Sequence, residues 1–247
     1  MATAAVHYAS AVVSDRGRKR ASNEDAFGLS DEHGVYLVCD GMGGAAAGEV
    51  ASSLAVEEVL RQFSRRVKPE ASSMEDAIEE AIAAANQAIY RRSLSNPRLR
   101  GMGTTLVGLV AEARRVLVFN VGDSRCYRLR RLRLEQISLD HSLVAEQVRM
   151  GRMTPAEARS SPLHNVITRA LGTESAVELD LFELETEPGD LFLLCSDGLT
   201  NELSDSLIAS ILAADLPLDE LCVQLVAAAN QAGGRDNITC LVVRAEG

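Results

Sequence analysis

The sequence predicts an α+β fold: two packed antiparallel sheets flanked by helix pairs, a four-layer α-β-β-α sandwich. Three observations point to it. Helical patterns come in pairs and strand patterns come in runs, whereas a doubly wound parallel sheet would alternate the two. The segments 35–39, 191–195 and 238–243 are short, unbroken apolar runs, the pattern of buried strands. The chain has 247 residues, 47% of them hydrophobic, which is ample for a substantial core. Trp is absent and aromatics make up 4%, so that core must be aliphatic.

Taken in order, residues 6–13 and 35–39 read as strands, joined by a polar segment that carries Asn23, Glu24 and Asp25. Residues 45–63 read as a helix with Val50, Leu54, Leu60 and Phe63 on or near one face. A second helix is expected from about residue 73, where Ser72 and Glu75 match a capping box and Met74, Ile78, Ile82 and Ile89 supply helical spacing. Segments 104–110, 115–121, 125–129 and 132–137 are short, aliphatic and closely spaced, as in antiparallel hairpins or a meander. Helices are expected at 141–150 and 155–159, a loop at 160–164, strands at 177–185 and 190–195, helices at 205–213 and 218–231, and a closing strand at 238–244. There is no internal repeat, low-complexity tract or linker, and 91–100, with Pro97, reads as a surface loop. One domain over residues 1–247 is the expectation.

The formal net charge of −10 repels nucleic acid backbones and anionic lipid, so neither is an expected partner. No stretch approaches the roughly 18 unbroken apolar residues of a membrane span, and the N-terminus lacks the basic-then-apolar pattern of a signal peptide. Cys39, Cys126, Cys195, Cys222 and Cys240 are odd in number, lack CxxC spacing and mostly sit inside apolar runs. They read as small buried hydrophobes in a reducing compartment, and a cytoplasmic location is expected.

The chemistry concentrates where apolar runs end. Residues 35–39 lead into Asp40-Gly41-Met42-Gly43-Gly44, 191–195 lead into Ser196-Asp197-Gly198, and Gly233-Gly234-Arg235-Asp236-Asn237 precedes the last run. Any one Asp-Gly is a common hairpin turn. Three carboxylates at strand mouths, each in a glycine-bearing segment, point to one shared cation site. Two carboxylates about 4 Å apart repel by roughly 4 kcal/mol at an effective dielectric of about 20, so convergence is costly unless cations sit among them. Oxygen-only ligands select hard ions such as Mg²⁺ or Mn²⁺. Two such ions can activate water near neutral pH and clamp a phosphoryl group for in-line attack.

Further motifs accompany these aspartates: Ser14-Asp15-Arg16-Gly17, Arg20 with Asn23-Glu24-Asp25, Gly103-Thr104-Thr105, Val121-Gly122-Asp123-Ser124-Arg125, Asp140-His141-Ser142, Ile167-Thr168-Arg169-Ala170-Leu171-Gly172 and Asn237-Ile238-Thr239. In this order they resemble the metal-dependent protein serine/threonine phosphatases of the PP2C (PPM) family, in its compact bacterial form, from about residue 8 to the end. The resemblance implies a sandwich with a binuclear Mn²⁺ or Mg²⁺ centre at one end and direct attack on phosphorus by a metal-activated water. It implies that Asp40 bridges both ions, that Gly41 offers its carbonyl, and that Asp197 and Asp236 complete the ligation. Asp123, with Asp197, matches the holder of a third, weaker ion. Glu24 and Asp25 match acids that ligate or orient metal-bound waters, and Arg20 matches the residue that grips the substrate phosphate. Arg20 and Asp40 are thus the expected catalytic residues. Expected partners are Ser/Thr-phosphorylated proteins, with a bacterial Ser/Thr kinase as counterpart, and the expected state is a monomer.

Guanidinium fits the Arg20 role on physical grounds, being a planar, permanently charged fork matched to phosphate oxygens. Some family members carry histidine where this chain has Met42, and methionine donates no proton. A metal-bound water then becomes the expected proton source, with His141 as a substitute and a structural histidine as its alternative. Residues 150–165 match the flap beside the active site, where Gly151, Pro155 and Ser160-Ser161-Pro162 suit either a mobile cover or an ordinary surface excursion.

Two other classes were weighed. Residues 41–46 satisfy G-x-G-x-x-A after a strand, but Asp40 would set an anion beside a dinucleotide's pyrophosphate, and no P-loop pattern exists. A phosphatase-like fold without turnover, acting as a phosphoprotein sensor, is disfavoured because every metal-ligand position is acidic. A cysteine nucleophile is disfavoured because no cysteine has an arginine at the C-x₅-R spacing.

Overall fold

The computed structural model describes residues 6–43, 47–66 and 73–247. Among them, strands β1 (His7–Asp15), β2 (Asp25–Ser30), β3 (Val35–Met42), β4 (Gly103–Thr104), β5 (Leu106–Glu112), β6 (Arg115–Val121), β7 (Arg125–Arg130), β8 (Arg133–Gln136), β9 (Asp180–Glu185), β10 (Leu191–Cys195) and β11 (Ile238–Glu246) form two sheets. One runs β1-β11-β10-β7-β8; the other runs β2-β3-β5-β6-β9, with β4 pairing onto β3. All the pairings are antiparallel.

The apolar runs are unbroken because each face of a central strand meets a different layer. On β3, Val35, Leu37 and Cys39 pack with α1 (Ala47–Arg65) and α2 (Met74–Ser95), while Tyr36 and Val38 point between the sheets. On β10 and β11, Leu193, Cys195, Cys240 and Val242 pack with α6 (Asp205–Leu212) and α7 (Leu218–Ala232), while Phe192, Leu194, Leu241 and Val243 fill the middle. Four layers follow directly, as expected.

Several local expectations need correcting. Residues 25–30, taken with the polar connector, form β2, whose register sets Asp25 opposite Asp40. The run of strands from 104 to 137 is divided between the two sheets: β5 and β6 make a hairpin in one, and β7 and β8 make a hairpin in the other. The helix 141–150 is shorter, α3 (Leu143–Arg149), and is followed by α4 (Pro155–Ser160). Residues 197–200 add a single turn, α5 (Asp197–Thr200). The expected Ser72 cap and the helix start at 45 fall outside the described residues. The capping box on α2 is made by Ser73 and Asp76, each accepting from the other's backbone N–H at 3.0 Å. Of the apolar positions read on α1, Phe63 is buried and Val50, Leu54 and Leu60 flank the core; the buried face is Val56, Val59 and Phe63 together with the small Ala47, Gly48, Ala51, Ser52 and Ala55. These small side chains bring the helix axis close to the sheet.

Candidate metal centre

The acidic positions gather at one end of the sandwich because each ends or begins a strand there. Asp40 lies near the end of β3, Asp25 starts β2, Asp197 follows β10 and Asp236 precedes β11. Asp123 lies on residues 122–124, which carry the chain from β6 in one sheet to β7 in the other. The topology thus sets five aspartates, remote in sequence, around the same mouth.

Asp40 is held through its backbone. Its N–H donates to Thr105 Oγ1 at 3.0 Å, and its carbonyl accepts from the Thr105 N–H and the Thr104 hydroxyl, both at 2.8 Å. The next residue, Gly41, lies so close to α1 that a Cβ there would sit 2.1 Å from the Gly48 carbonyl oxygen. Glu24 is fixed from three sides: its N–H donates to Asn237 Oδ1 at 2.8 Å, and its carbonyl accepts from the Gly41 N–H at 3.1 Å and the Ser52 hydroxyl at 2.6 Å.

The carboxylates feel one another. Burial, and then the charges of Asp25, Asp197, Asp123 and Asp236, push the Asp40 carboxyl well above the usual carboxylate range. Burial raises Asp197 as well, with the charge of Asp236 adding to it. Burial pushes Asp25 and Asp123 up to about 7, with Asp197 adding to both. Glu24 is raised in the same sense, again chiefly by burial. Such a cluster binds protons or cations in preference to standing ionised and unpaired.

The remaining partners are few. Asp25 Oδ2 accepts from the hydroxyls of Thr239 at 2.7 Å and Ser196 at 2.8 Å, and Asp197 Oδ2 accepts from Asn201 Nδ2 at 3.0 Å. Asp236 Oδ2 accepts from Arg20 Nη2 at 2.6 Å. The Arg20 side chain is 53% exposed, so it reaches into the cluster from solvent. Among the described residues no three His, Cys, Asp or Glu close on one point as a ready-made cage. However, Asp25 Oδ1 and Asp197 Oδ1 are buried without any hydrogen-bond partner. Anionic oxygens in that position are costly unless a positive group meets them, and hard divalent cations fit such a donor set.

Every expected site residue is therefore at this mouth: Asp40, Gly41, Asp197, Asp236, Asp123, Glu24, Asp25 and Arg20. Thr105, Ser196, Thr239 and Asn237, which fix the acids, lie within motifs of the sequence that assign them no role, and Asn201 lies in none of them. Asn237 pins the β1–β2 connector at three points, accepting from the Glu24 N–H and donating to the carbonyls of Arg16 and Ser22 at 2.9 Å each. The available signal was a polar side chain at the very end of an apolar strand, beside an aspartate.

His141 is not placed as a proton donor. It is 3% exposed, its Nδ1 accepts from the Gly122 N–H at 3.1 Å, and its Nε2 faces Asp180 Oδ2 at 3.3 Å. The five cysteines are buried thiols, and burial pushes those of Cys195 and Cys222 up to about 12, which leaves no thiolate for nucleophilic chemistry. Beside the acids lies a cleft of about 630 Å³, with Asp123 and Asp197 at one side and Val144, Val148, Pro155 and Ala158 of the α3–α4 segment at the other.

Comparison with known proteins agrees with this geometry. Residues 15–240 match the family model described as Protein phosphatase 2C. The serine/threonine phosphatase stp of Listeria monocytogenes is 40% identical over 233 residues, 93% of this chain and 92% of that one. The crystal structure of the Mycobacterium tuberculosis serine/threonine phosphatase PstP/Ppp superposes with a TM-score of 0.90 at 37% identity, covering 98% of this chain and 100% of the other. The catalytic domain of PstP in complex with two manganese ions gives 0.88 at 36% identity, with 99% and 100% covered. With this family match over most of its length and these relatives at 36–40% identity, the chain belongs to the protein phosphatase 2C family.

Proposed function

We propose that this chain, over residues 1–247 as one domain, is a cation-dependent protein serine/threonine phosphatase. The observation that carries the reading is the convergence of five aspartates at one mouth with two buried carboxylate oxygens left without a partner. Asp40, the Gly41 carbonyl, Asp197 and Asp236 would hold two Mn²⁺ or Mg²⁺ ions, as the manganese-bound relative supports. Asp123 with Asp197 would hold a third, and Glu24 and Asp25 would ligate or orient water beside them. When bound, such ions neutralise the carboxylates and make a water acidic enough to serve as nucleophile near neutral pH.

The side chains then have distinct tasks. Arg20, already aimed at the cluster by Asp236, grips two phosphate oxygens of phosphoserine or phosphothreonine and presents phosphorus for in-line attack. Asp40 is kept in register through its backbone by Thr104 and Thr105, so its carboxylate would be held ready for the ions. Water attacks phosphorus, the P–O bond to the side chain breaks, and the departing oxygen takes its proton from water, because Met42 has none to give and His141 is committed through both ring nitrogens. The substrates are phosphorylated proteins, with a Ser/Thr kinase as counterpart. We further infer a monomer in the cytoplasm; no helix of the described residues is long and apolar enough to cross a membrane.

Hydrolysis of p-nitrophenyl phosphate and of a phosphothreonine peptide, with Mn²⁺ and after chelation, tests this. Phosphate release should require the cation. Asp40→Asn should lower kcat/KM at least about 100-fold, roughly 2.7 kcal/mol of barrier, with an unchanged circular dichroism spectrum. Turnover that survives chelation would overturn the reading, and cation binding without any hydrolysis would favour a silent phosphoprotein-binding module.

A further inference from the structure

The crossover that carries Asp123 has an unusual support. Residues 122–124 leave one sheet before joining the other, so the peptide groups there lack a sheet ladder, and buried peptide groups need partners. Gly122 sits at φ 105°. Its N–H donates to His141 Nδ1 at 3.1 Å, and its carbonyl accepts from the His141 backbone N–H at 2.9 Å. One residue therefore satisfies both backbone groups of Gly122, the residue just before Asp123. On the other side, Ser124 is tied by its hydroxyl to Thr105 Oγ1 at 2.7 Å, the same oxygen that accepts the Asp40 N–H.

The imidazole is itself oriented. With Nδ1 accepting, the proton of the neutral ring lies on Nε2, which faces Asp180 Oδ2 at 3.3 Å. Asp180 is held by Arg169 Nη1 at 3.0 Å and opens β9, opposite Asn120 of β6. Asn120 Nδ2 in turn donates to the Leu139 carbonyl at 2.9 Å, closing the loop that carries His141. A buried, doubly engaged ring of this kind fixes direction in the way that outer partners orient metal ligands.

We propose that His141 is the positioning residue for Asp123: by clamping both backbone groups of Gly122 it sets the direction in which the Asp123 carboxylate leaves the crossover, and with it the affinity of the outer cation position shared with Asp197. The inference rests on the reading of Asp123 as a ligand given above. It assigns His141 no proton transfer and no contact with substrate.

Asparagine and glutamine separate this role from mere filling. The Asn oxygen lies as many bonds from Cα as His Nδ1 and can accept from Gly122; the Gln oxygen matches Nε2 and cannot. Mn²⁺ binding, followed without substrate by electron paramagnetic resonance, should resolve tight and weak ions. His141→Asn should keep the weak class within about twofold of wild type, while His141→Gln should weaken it about tenfold and leave the tight class unchanged. Equal binding by the two variants would overturn the proposal. Should His141→Gln fail to fold, Asp180→Ala keeps the ring but removes the carboxylate that orients it, leaving Nε2 only Arg169 Nη1 at 3.3 Å, and unchanged weak binding in it would overturn the proposal equally. Asp123→Ala distinguishes the two levels. If it retains the weak class, the ligand reading falls and His141 with it; if it loses that class while His141→Gln keeps it, only the His141 assignment falls.

Discussion

Arg20 is held to the acidic cluster by one charged contact, and that contact makes two statements about substrate. Its partner Asp236 is 26% exposed against 53% for Arg20, so the pair sits at the rim and its own contribution to stability is small. Its value is directional: a guanidinium anchored at one corner still offers donors to a phosphate. On the proposed role, Arg20→Ala would remove the phosphate's cationic partner and also bare Asp236, which adds repulsion. Charge-assisted hydrogen bonds contribute about 1.5–3 kcal/mol, so the KM for a phosphothreonine peptide should rise about tenfold or more, with kcat changing less. Steady-state kinetics on matched phosphopeptides checks this, and an unchanged KM would remove Arg20 from the phosphate site.

At the scale of elements, the centre depends on strand ends and short turns touching through backbone. A Cβ on Gly198, in α5, would lie 1.9 Å from the Asn237 carbonyl oxygen at the start of β11. Gly198→Ala must push α5 away from β11, and with it Asp197 away from Asp236. Overpacking of this kind costs about 1–3 kcal/mol, so the variant should unfold at lower denaturant and bind Mn²⁺ more weakly. Wild-type values for both would show that the two acids need no fixed spacing. The same scale explains what could be read in advance. The three buried runs, the helix pairs and the acids at strand mouths are local patterns, and they were legible. β2 was not, because Asn23-Glu24-Asp25 reads as a polar loop until β3 and the hydroxyls of Ser196 and Thr239 are there to receive it. Nor was the sheet to which each hairpin belongs, since the three-residue link between β6 and β7 reads like another hairpin turn and only the pairing with β9 and β10 separates them. The capping box fell one residue late because Ser72-x-x-Glu75 and Ser73-x-x-Asp76 overlap in the sequence.

For the whole molecule, gathering acids at one mouth of a chain that already carries a net charge of −10 couples stability to pH and to cations. Burial and mutual repulsion raise Asp25 and Asp123 to about 7 and push Asp40, Asp197 and Glu24 upward as well. These groups hold their protons more tightly folded than unfolded. The contribution of Asp25 and Asp123 to stability is therefore complete below the ordinary carboxylate range near 4 and is lost as pH rises through about 7, and the other three act in the same direction. Stripped of cations, the protein should melt on the order of 5 °C lower at pH 7.5 than at pH 5.5, since 1 kcal/mol moves the melting point of a chain this size by about 2–4 °C. Burial lowers the His141 imidazole, which opposes this trend only below its ordinary value of about 6.5. Saturating Mn²⁺ competes with the same protons, so the gain in melting temperature on adding it should be larger at pH 7.5 than at pH 5.5. Calorimetry with and without Mn²⁺ at the two pH values reads both effects. A stripped protein that grows more stable over that interval, or a cation gain independent of pH, would mean that these carboxylates do not act as one charged site.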